Sequence, residues 1–465
     1  MPRTTDLREA YANYFGRFES RLKSPNITGF VMPQELIQIN SRKTIVRIVM
    51  LVLLLLALVW SFFVIRWYLG NTLAEYFNPT ENSIDVAQFA SSIAPNDPLT
   101  HWRLGQVYQQ KLPVDQIGQA ITEYKKAISL SPNDYRFWLA LGTAQEQAGN
   151  VSEGEVALRR AVALAPSYSY PHWYLGNLLL RSNRYDEAFN ELRIADEADN
   201  ELRPQLFNFI AAVYGRDLES IKAALGKDPA LRAQFALYLV KQKSIDDGLA
   251  LWSSLDANSK QANKISGDEI VATLVAASRF HNALTVYNDL AATESYRAEI
   301  GKVFDGGFEE SIGRGGASVF GWRVASVSQV QIGVDPSKAH SGHHSLRMLF
   351  QVKTKLEDIS VSQQVAVLPE TEYEFECFVS TEKLETGSTP LVQILNAADQ
   401  SVLAMSPPVA TGTNDWSRVA LTFKTKPNSE GVIIKIVRNP CEGDVPLCPI
   451  YGVMWYDDFN LKKRG

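Results

Sequence analysis

An uninterrupted apolar run near the N-terminus, Ile48 to Ile65, constrains this chain more than any other stretch. Its eighteen residues carry no charge, and Arg47 and Arg66 close it on either side. At about 1.5 Å per residue such a helix crosses most of a ~30 Å hydrocarbon layer, whereas a buried helix of a soluble protein seldom stays apolar on every face. More than forty residues precede the run, which is unlike a cleaved signal peptide. It therefore predicts a membrane anchor over residues 44–68.

Basic residues on one side of this run predict its orientation. Arg42, Lys43 and Arg47 precede it, while no Lys or Arg lies between Arg66 and Arg103. Because basic flanks stay in the cytoplasm, we expect a cytoplasmic N-terminus and a single span through the inner (plasma) membrane. Everything beyond about residue 70 is then exported, after a linker predicted at 69–82.

The composition fits a globular exported region on one anchor. The 465 residues are 46% hydrophobic and 21% charged, with a net charge of −5 and a pI of about 5.8. Nucleic acid is a poor partner for such a chain, because no large basic stripe is present to neutralise phosphates. The exported part is too long for a single core, so at least two domains are expected.

Residues 1–43 are predicted to form a cytoplasmic tail that contains an amphipathic helix. Asp6 is a candidate N-cap with Glu9 three residues on, and apolar residues follow at helical spacing, namely Leu7, Tyr11, Tyr14, Phe15, Phe18 and Leu22. Such a helix suits an anionic lipid surface, a cytoplasmic protein partner, or no dedicated partner at all. The pattern leaves these three interpretations open.

A repeat of 34 residues runs through the helical stretch from residue 83 to 300. The equivalent positions are Ala127, Ala161 and Ala195; Tyr124, Leu158 and Leu192; Leu141 and Leu175; Gly142 and Gly176; and Pro132 and Pro166. Upstream, Gly105 precedes Gly142 by 37 residues, which requires an insertion that we assign to the loop 111–115. After Asn200 the repeat weakens.

This period, with Leu-Gly in the first helix, a small and then a bulky residue in the second, and a closing proline, resembles the tetratricopeptide repeat. The sequence departs from that pattern at His101 and His172, which occupy the position that Trp138 keeps. Helix pairs of this kind stack into a superhelix with a concave wall, where partners usually bind.

The concave wall is predicted to carry three rows of side chains that packing does not require. The rows are Trp102, Gln106 and Gln109; Arg136, Leu139 and Thr143; and Tyr170, Trp173 and Asn177. Spacings of three and four residues place each row on one helix face. Trp102 and Trp173 are candidate anchors for a protein partner. The alternative is that both fill the core between repeats.

From about residue 301 the helical period gives way to short alternating runs separated by turn residues. In the clearest run, Glu372 to Val379, Tyr373, Phe375 and Cys377 share one face and the glutamates share the other. Alternation of this kind predicts antiparallel strands in a two-sheet sandwich.

Several short sequence motifs in this region resemble those of the β-jelly-roll carbohydrate-binding modules. They are Gly307-Phe308-Glu309, Gly321-Trp322, Ser341-Gly342 leading to Ser345-Leu346, Gln364-Val365 through Pro369 to Tyr373, and Trp455-Tyr456-Asp457-Asp458-Phe459. The resemblance covers residues 301–465 and implies a glycan ligand. We interpret Trp322, Trp416 and Trp455 as core residues rather than as sugar platforms.

Strand alternation predicts that Asp457 shares a face with Trp455 and Phe459, where a carboxylate needs a partner. The jelly-roll resemblance implies a structural calcium ion, whose oxygen ligands here would be Asp457 and Glu309, helped by Asp305. Hydrogen bonding to turn amides is the alternative.

The three cysteines divide into a pair and a single thiol. Cys441 and Cys448 are predicted to form a disulfide, since they bracket a short segment in a compartment that permits oxidation. Cys377 lies on an apolar strand face and is predicted to be an inert core thiol.

The sequence contains no Walker loop, HExxH, CxxC or G-x-S-x-G motif, so no enzymatic activity is predicted. His340, His343 and His344 are interpreted as part of a solvated turn rather than a metal site. The expected fold is a single transmembrane helix, an all-α tetratricopeptide-like solenoid and an all-β jelly-roll sandwich. We expect an exported adaptor for envelope polysaccharide assembly or export that binds a protein partner and a glycan. The alternatives are a purely protein-binding scaffold and, more remotely, a hydrolase with an unrecognised carboxylate pair.

Overall fold

A computed structural model describes residues 44–75, 83–110, 117–291, 297–310, 312, 319–324, 330–350, 361–441 and 448–464. The predicted helix of the cytoplasmic tail and the predicted insertion loop 111–115 lie outside these residues. The chain divides into two compact units, residues 1–132 and 133–465.

Within the described residues, the first unit contributes four helices, which are α1 (Thr44–Glu75), α2 (Ser83–Ile93), α3 (Pro98–Gln110) and α4 (Ile117–Leu130). By length and composition α1 is able to cross a membrane, and its most apolar stretch is unburied. The helix continues beyond residue 68, so the first part of the expected linker is helical. In this part of α1, a Cβ on Gly70 would lie 2.5 Å from the Cβ of Ala94. The glycine lets α2 pack closely on the end of α1.

The second unit begins with eleven helices within the described residues. They are α5 (Tyr135–Gln147), α6 (Val151–Leu164), α7 (Ser169–Arg181), α8 (Tyr185–Ala198), α9 (Arg203–Tyr214), α10 (Leu218–Leu225), α11 (Pro229–Lys241), α12 (Ile245–Ser253), α13 (Ala257–Ala262), α14 (Lys264–Ala276) and α15 (Phe280–Asp289). After Asn200, where the repeat weakens, helices continue in a less regular form. Asn183 and Ser278, at the turns before α8 and α15, take φ angles of 58° and 60°. The two turns therefore share a backbone conformation although the repeat has decayed between them.

Glycines in the first helix of each pair decide how closely the pair packs. A Cβ on Gly142 would lie 2.6 Å from Cγ of Leu158, and one on Gly176 would lie 2.7 Å from Cγ of Leu192. In the first unit, Gly105 meets the ring of Tyr124 in the same way, at 2.6 Å. Each glycine thus faces the bulky residue that the 34-residue period assigns to it.

The two histidines that replace the expected tryptophan bind their own helix pairs through matching contacts. In the first unit, Nδ1 of His101 lies 2.6 Å from Oε2 of Glu123, and Nε2 lies 2.9 Å from the carbonyl oxygen of Pro95. In the second unit, the corresponding atoms of His172 lie 2.6 Å from Glu191 and 3.0 Å from the carbonyl oxygen of Pro166. Both rings are buried. Hydrogen bonds to the second helix and to the preceding turn therefore take the place of the packing that an indole ring would provide.

The C-terminal part of the second unit is a sandwich of two antiparallel sheets. Its strands are β1 (Arg323–Val324), β2 (Val330–Asp335), β3 (Ser345–Phe350), β4 (Val361–Ala366), β5 (Glu372–Thr386), β6 (Leu391–Asn396), β7 (Val402–Met405), β8 (Gly412–Lys424), β9 (Gly431–Val437) and β10 (Ile450–Lys463). The sheet orders are β1-β4-β9-β6-β7 and β2-β3-β10-β5-β8. Tyr373, Phe375 and Cys377 lie in the core between the sheets, as strand alternation predicts.

The last helix packs directly on the first of these sheets. A Cβ on Gly431 of β9 would lie 2.6 Å from the ring of Phe280 at the start of α15. The backbone amide of His281 donates to Glu430, and its Nε2 lies 2.9 Å from the carbonyl oxygen of Val367. Ala366 of β4 and Phe320 therefore belong to the apolar core of the helical array, whereas the space between the two sheets holds a core of its own.

Candidate functional site

The predicted concave-wall residues on α3, which are Trp102, Gln106 and Gln109, are contacted by Arg103 and Tyr124. The guanidinium of Arg103 lies 4.7 Å from the centroid of the Trp102 ring and donates to Oε1 of Gln106 at 2.9 Å. The hydroxyl of Tyr124 donates to Oε1 of Gln109 at 2.7 Å. All three predicted residues are partly exposed. This row therefore presents an indole covered by a cation, with amide groups beside it.

The predicted concave-wall residues on α7, which are Tyr170, Trp173 and Asn177, differ in their exposure. Tyr170 at the start of α7 is 57% exposed. Trp173 is partly buried, because its ring stacks on that of Phe209 from α9 with centroids 5.7 Å apart. Asn177 donates to the carbonyl oxygen of Trp173 at 2.8 Å. Trp173 thus helps to join two repeats, and Tyr170 is the aromatic side chain that is free to meet a partner.

Of the row on α5, Thr143 borders a cavity of about 440 Å³, lined by Thr143, Glu146, Gln147, Val151, Leu178, Arg181 and Ser182. The Arg181 guanidinium bonds Glu146 across it at 2.6 Å. Arg136 bonds both carboxylate oxygens of Asp134, the N-cap of its own helix, and Leu139 packs against the neighbouring core cluster. The cavity mixes cation, carboxylate and hydroxyl groups, which suits a polar segment of a protein partner.

A second surface lies on the outer face of the sheet that contains β5, β8 and β10. We call it the aromatic platform and define it as Phe378, Trp416, Trp455, Lys338 and His340. The His340 ring stacks on Phe378 and meets the edge of Trp416 with centroids 5.6 Å apart. The ammonium of Lys338 lies 4.2 Å from the Trp455 centroid and donates to Oγ of Ser380 at 2.8 Å.

Of the three tryptophans interpreted as core residues, two are buried and one is partly exposed. The interpretation is confirmed for Trp322, which is 4% exposed and packs against Phe308 and Phe459. It is wrong for Trp416, which lies partly exposed on the outer face of β8. Trp455 also lies on the outer face of its sheet, at β10. Trp455 is nevertheless buried, since the turn that carries Lys338 covers it.

Phe378 and Lys338 carried no sequence prediction. The signal for Phe378 was present in the sequence, because it follows three glutamates on the polar face of β5 and breaks their row. Opposite-charge contacts flank the ring on the same face, where Arg418 bonds Glu374 and Glu376 at 2.9 Å each. Lys338 carried no signal, since its position depends on how a turn folds over the sheet.

The carboxylates predicted to hold calcium converge on one turn between β2 and β3. Oδ2 of Asp457 accepts from the backbone amides of His340 at 2.7 Å and Ser341 at 3.3 Å. Oε1 of Glu309 accepts from the amide of His343 at 2.7 Å, and its Oε2 lies 2.9 Å from Nδ1 of His344. The two carboxylates thus bind the same turn from two sides. This arrangement corresponds to the amide-bonded alternative.

The third predicted ligand, Asp305, bonds its own turn. It accepts from the backbone amides of Glu309 and Glu310, yet burial raises its pKa to about 6. Burial likewise raises the pKa of Asp457, although the His340 amide opposes that shift. Within the described ranges, no three His, Cys, Asp or Glu side chains are arranged as a metal site. The residues therefore do not form a ready calcium cage here, and calcium stays a prediction.

The face assigned to Asp457 by strict alternation is wrong in one respect. Met454 and Tyr456 point into the core, so Asp457 lies on the opposite face with Trp455. A β-bulge follows, with Asp458 at a φ of 52°, and it returns Phe459 to the core. Asp457 is fully buried because the turn after β2 covers it, and not because it points between the sheets.

The predicted disulfide joins Cys441 to Cys448, whose Cα atoms are 5.6 Å apart. Arg438 donates to the carbonyl oxygen of Cys448 at 2.9 Å and is itself buried. Cys377 is a buried free thiol, whose pKa burial raises far above its usual range. It is therefore unreactive in the folded state.

Comparison with known proteins gives limited likeness. No family model matches the chain, and no curated protein matches it. Part of the chain is similar to the crystal structure of MamA, at 21% identity over 30% of this chain and 84% of that one, with a TM-score of 0.27. Another MamA structure, from Desulfovibrio magneticus RS-1, gives 21% identity over 29% and 75%, with a TM-score of 0.26.

A CBM4 structure is similar at 15% identity over 35% of this chain and 99% of that one, with a TM-score of 0.26. A Clostridium thermocellum xylanase that carries a CBM22 module gives 14% identity over 35% and 29%, with a TM-score of 0.25. These likenesses are consistent with helical repeats and a β-sandwich. At such values they carry no argument about function.

Proposed function

We propose that this chain is a membrane-anchored adaptor. The N-terminus lies in the cytoplasm, the apolar helix α1 spans the inner membrane, and the exported repeats hold a protein partner. The β-sandwich takes a glycan on its outer face, in the assembly or export of envelope polysaccharide. We propose no catalytic role for any residue.

The aromatic platform is the observation that carries the glycan part of this proposal. Flat aromatic faces beside hydrogen-bonding groups are what a sugar ring needs, because its C–H faces pack on the ring and its hydroxyls find donors and acceptors at the rim. Trp416 is partly exposed, Phe378 lies on the same sheet face, and Arg418 and Glu376 stand at the rim.

The test is glycan binding by the full chain in lipid nanodiscs, measured on an array of envelope polysaccharides. Trp416→Ala should abolish binding, whereas Trp322→Phe, which changes a core ring, should retain it. A wild-type chain that binds no glycan on the array would overturn this part of the proposal.

A specific observation favours the second candidate function, a scaffold that binds protein alone. His340 already covers the face of Phe378, with ring planes 13° apart. The opposite sheet is occupied as well, since α15 packs on β9 through Phe280 and Gly431. If both faces are permanently filled, the sandwich acts as a rigid end piece of the repeat array.

A further inference from the structure

The end of α1 packs against the C-terminal turn of α2. Nε of Arg66 donates to the carbonyl oxygen of Ile93 at 3.1 Å, and Nη2 donates to that of Ser92 at 3.4 Å. One turn further along α1, Gly70 meets Ala90 and Ala94. Gly70 thus lies beside the last turn of α2, and Arg66, one turn closer to the apolar run, bonds the carbonyl groups at the end of that helix. Because those carbonyl groups point along the axis beyond the C-terminus of α2, this end points back toward the apolar run.

The position of Arg66 in the sequence allows the depth of α2 relative to the membrane to be inferred from this packing. Arg66 is the first charged residue after the eighteen-residue apolar run, which places it at the edge of the hydrocarbon layer when that run spans a membrane. Ser92 and Ile93 then lie at the same level. Asp85, at the other end of α2, lies about 10 Å farther from the membrane, at 1.5 Å per residue.

The Arg66 guanidinium is bound within the protein. The last carbonyl groups of a helix have no partners inside it, and a cation near them is favoured by the helix dipole. Arg66 supplies both to α2, and it also lies 5.5 Å from the ring centroid of Phe62 on its own helix. Arg66 thereby holds the C-terminal end of α2 against α1.

Exposed aromatic side chains lie near the level of Arg66, at the edge of the hydrocarbon layer. Trp67 is 53% exposed, Tyr68 is 63% exposed, and Phe89, one turn before Ile93, is 57% exposed. Tryptophan and tyrosine favour the interface between lipid tails and water. Two different helices therefore bring aromatic rings to within about a turn of the hydrocarbon edge.

We propose that α2 is seated on the bilayer by its C-terminal end, with the phospholipid headgroup layer as the partner of Ser92, Ile93 and Phe89. This inference rests on the membrane anchoring proposed above. It means that the repeat array starts at the membrane surface, held there by Arg66, and that α2 is a second point of contact with the lipid.

The test measures a depth gradient along α2 in the full chain, reconstituted in nanodiscs of phosphatidylcholine and phosphatidylglycerol with a headgroup spin-labelled lipid. A fluorophore is attached through Ser92→Cys, Phe89→Cys or Asp85→Cys, and through Tyr68→Cys as the reference for the anchor. The native cysteines do not compete, since Cys377 is buried and the other two form a disulfide.

Quenching should be strong at positions 68 and 92, weaker at 89, and lost at 85. Equal quenching at 92 and 85, with position 68 quenched, would overturn the seating of α2 and leave the anchor intact. Absence of quenching at 68 would overturn the anchor and the seating together.

A second variant tests the role of Arg66. Arg66→Gln should flatten the gradient between positions 92 and 85, because the carbonyl groups at the end of α2 lose the guanidinium that ties them to α1. Arg47→Gln, at the other end of the apolar run, should keep the gradient. A gradient that survives Arg66→Gln would overturn the proposal that Arg66 holds α2 in place.

Discussion

The imidazole ring of His340 lies flat on the ring of Phe378, with centroids 3.7 Å apart and planes 13° apart. This is the geometry in which a sugar ring would stack on Phe378. His340 is held there by its Nδ1, which lies 2.6 Å from Oδ2 of Asp458. The contact therefore covers the face of Phe378 with a side chain of the protein itself.

Removal of this cover should raise glycan affinity. His340→Ala frees the face of Phe378, and an aromatic pair of this kind is worth about 0.5–1.5 kcal/mol, so we expect an increase of up to about tenfold in the affinity of the full chain. Isothermal titration calorimetry, with a polysaccharide that the wild-type chain binds on the array, measures this affinity. His343→Ala is the matched control, since that exposed ring lies in the same turn and should leave affinity unchanged.

The same pair distinguishes the two candidate functions. An affinity that falls in the His340→Ala variant would mean that His340 contacts the glycan. Absence of binding in both the wild type and the variant would favour the protein-binding scaffold.

Tyr170 and Trp173 should respond differently to truncation. Tyr170→Ala removes an exposed ring, so the free energy of unfolding should change by less than about 0.5 kcal/mol. The yield of photocrosslinking to the partner in native membranes should fall. Trp173→Ala removes a ring stacked on Phe209, so the free energy of unfolding should drop by about 2 kcal/mol. A Trp173 variant of unchanged stability would restore that residue as a binding anchor.

The features that the sequence predicted correctly are those set by short-range periodicity. Gly142 and Gly176 recur at 34 residues because each must admit a bulky residue from the next helix, and the structure shows both contacts. Alternation along β5 placed Tyr373 and Cys377 in the core for a similar reason, because successive strand residues point to opposite faces.

The features that it did not predict depend on contacts between distant segments. The bulge at Asp458 resets the alternation of β10, and no pattern in the neighbouring residues marks it. The fold of the turn that brings His340 onto Phe378 joins residues 38 positions apart. The packing of Phe280 on Gly431 depends on where the helical array ends relative to the sandwich.

Asp305 should make stability depend on pH in a narrow window. Burial raises its pKa from 3.8 to about 6 in the folded protein, so the folded state holds a proton that the unfolded state has released. Its contribution to stability is therefore present below about pH 4 and is lost as pH rises to about 6.

The Asp305→Asn variant cannot ionise and keeps an oxygen for the amides of Glu309 and Glu310. Its stability relative to the wild type should therefore rise between pH 4 and pH 6 and then level off. Urea unfolding at a series of pH values measures this difference. A constant difference across the window would show that Asp305 does not titrate there. Asp415→Asn, which alters an exposed carboxylate, is the control.

The calcium prediction is decided by the two carboxylates that bind the turn between β2 and β3. Asp457 is fully buried, and burial raises its pKa, so a cation that neutralised it would stabilise the folded state. If calcium binds only the folded chain, a hundredfold excess over the dissociation constant adds about 2.7 kcal/mol to the free energy of unfolding. Melting of the full chain should then shift upward with calcium and much less with magnesium, whose strict octahedral geometry this irregular site does not provide.

Asp457→Asn and Glu309→Gln should each abolish the calcium shift, because both remove a charge with little change in volume. Asp458→Asn is the control, since its partly exposed carboxylate bonds His340 and Ser341 on the outer side of the turn. Without calcium, Asp457→Asn should still cost about 1–3 kcal/mol, because its amide group accepts fewer hydrogen bonds from the turn. A wild-type chain whose melting ignores calcium, together with that loss in the Asp457 variant, would leave the backbone amides as the partners of these carboxylates.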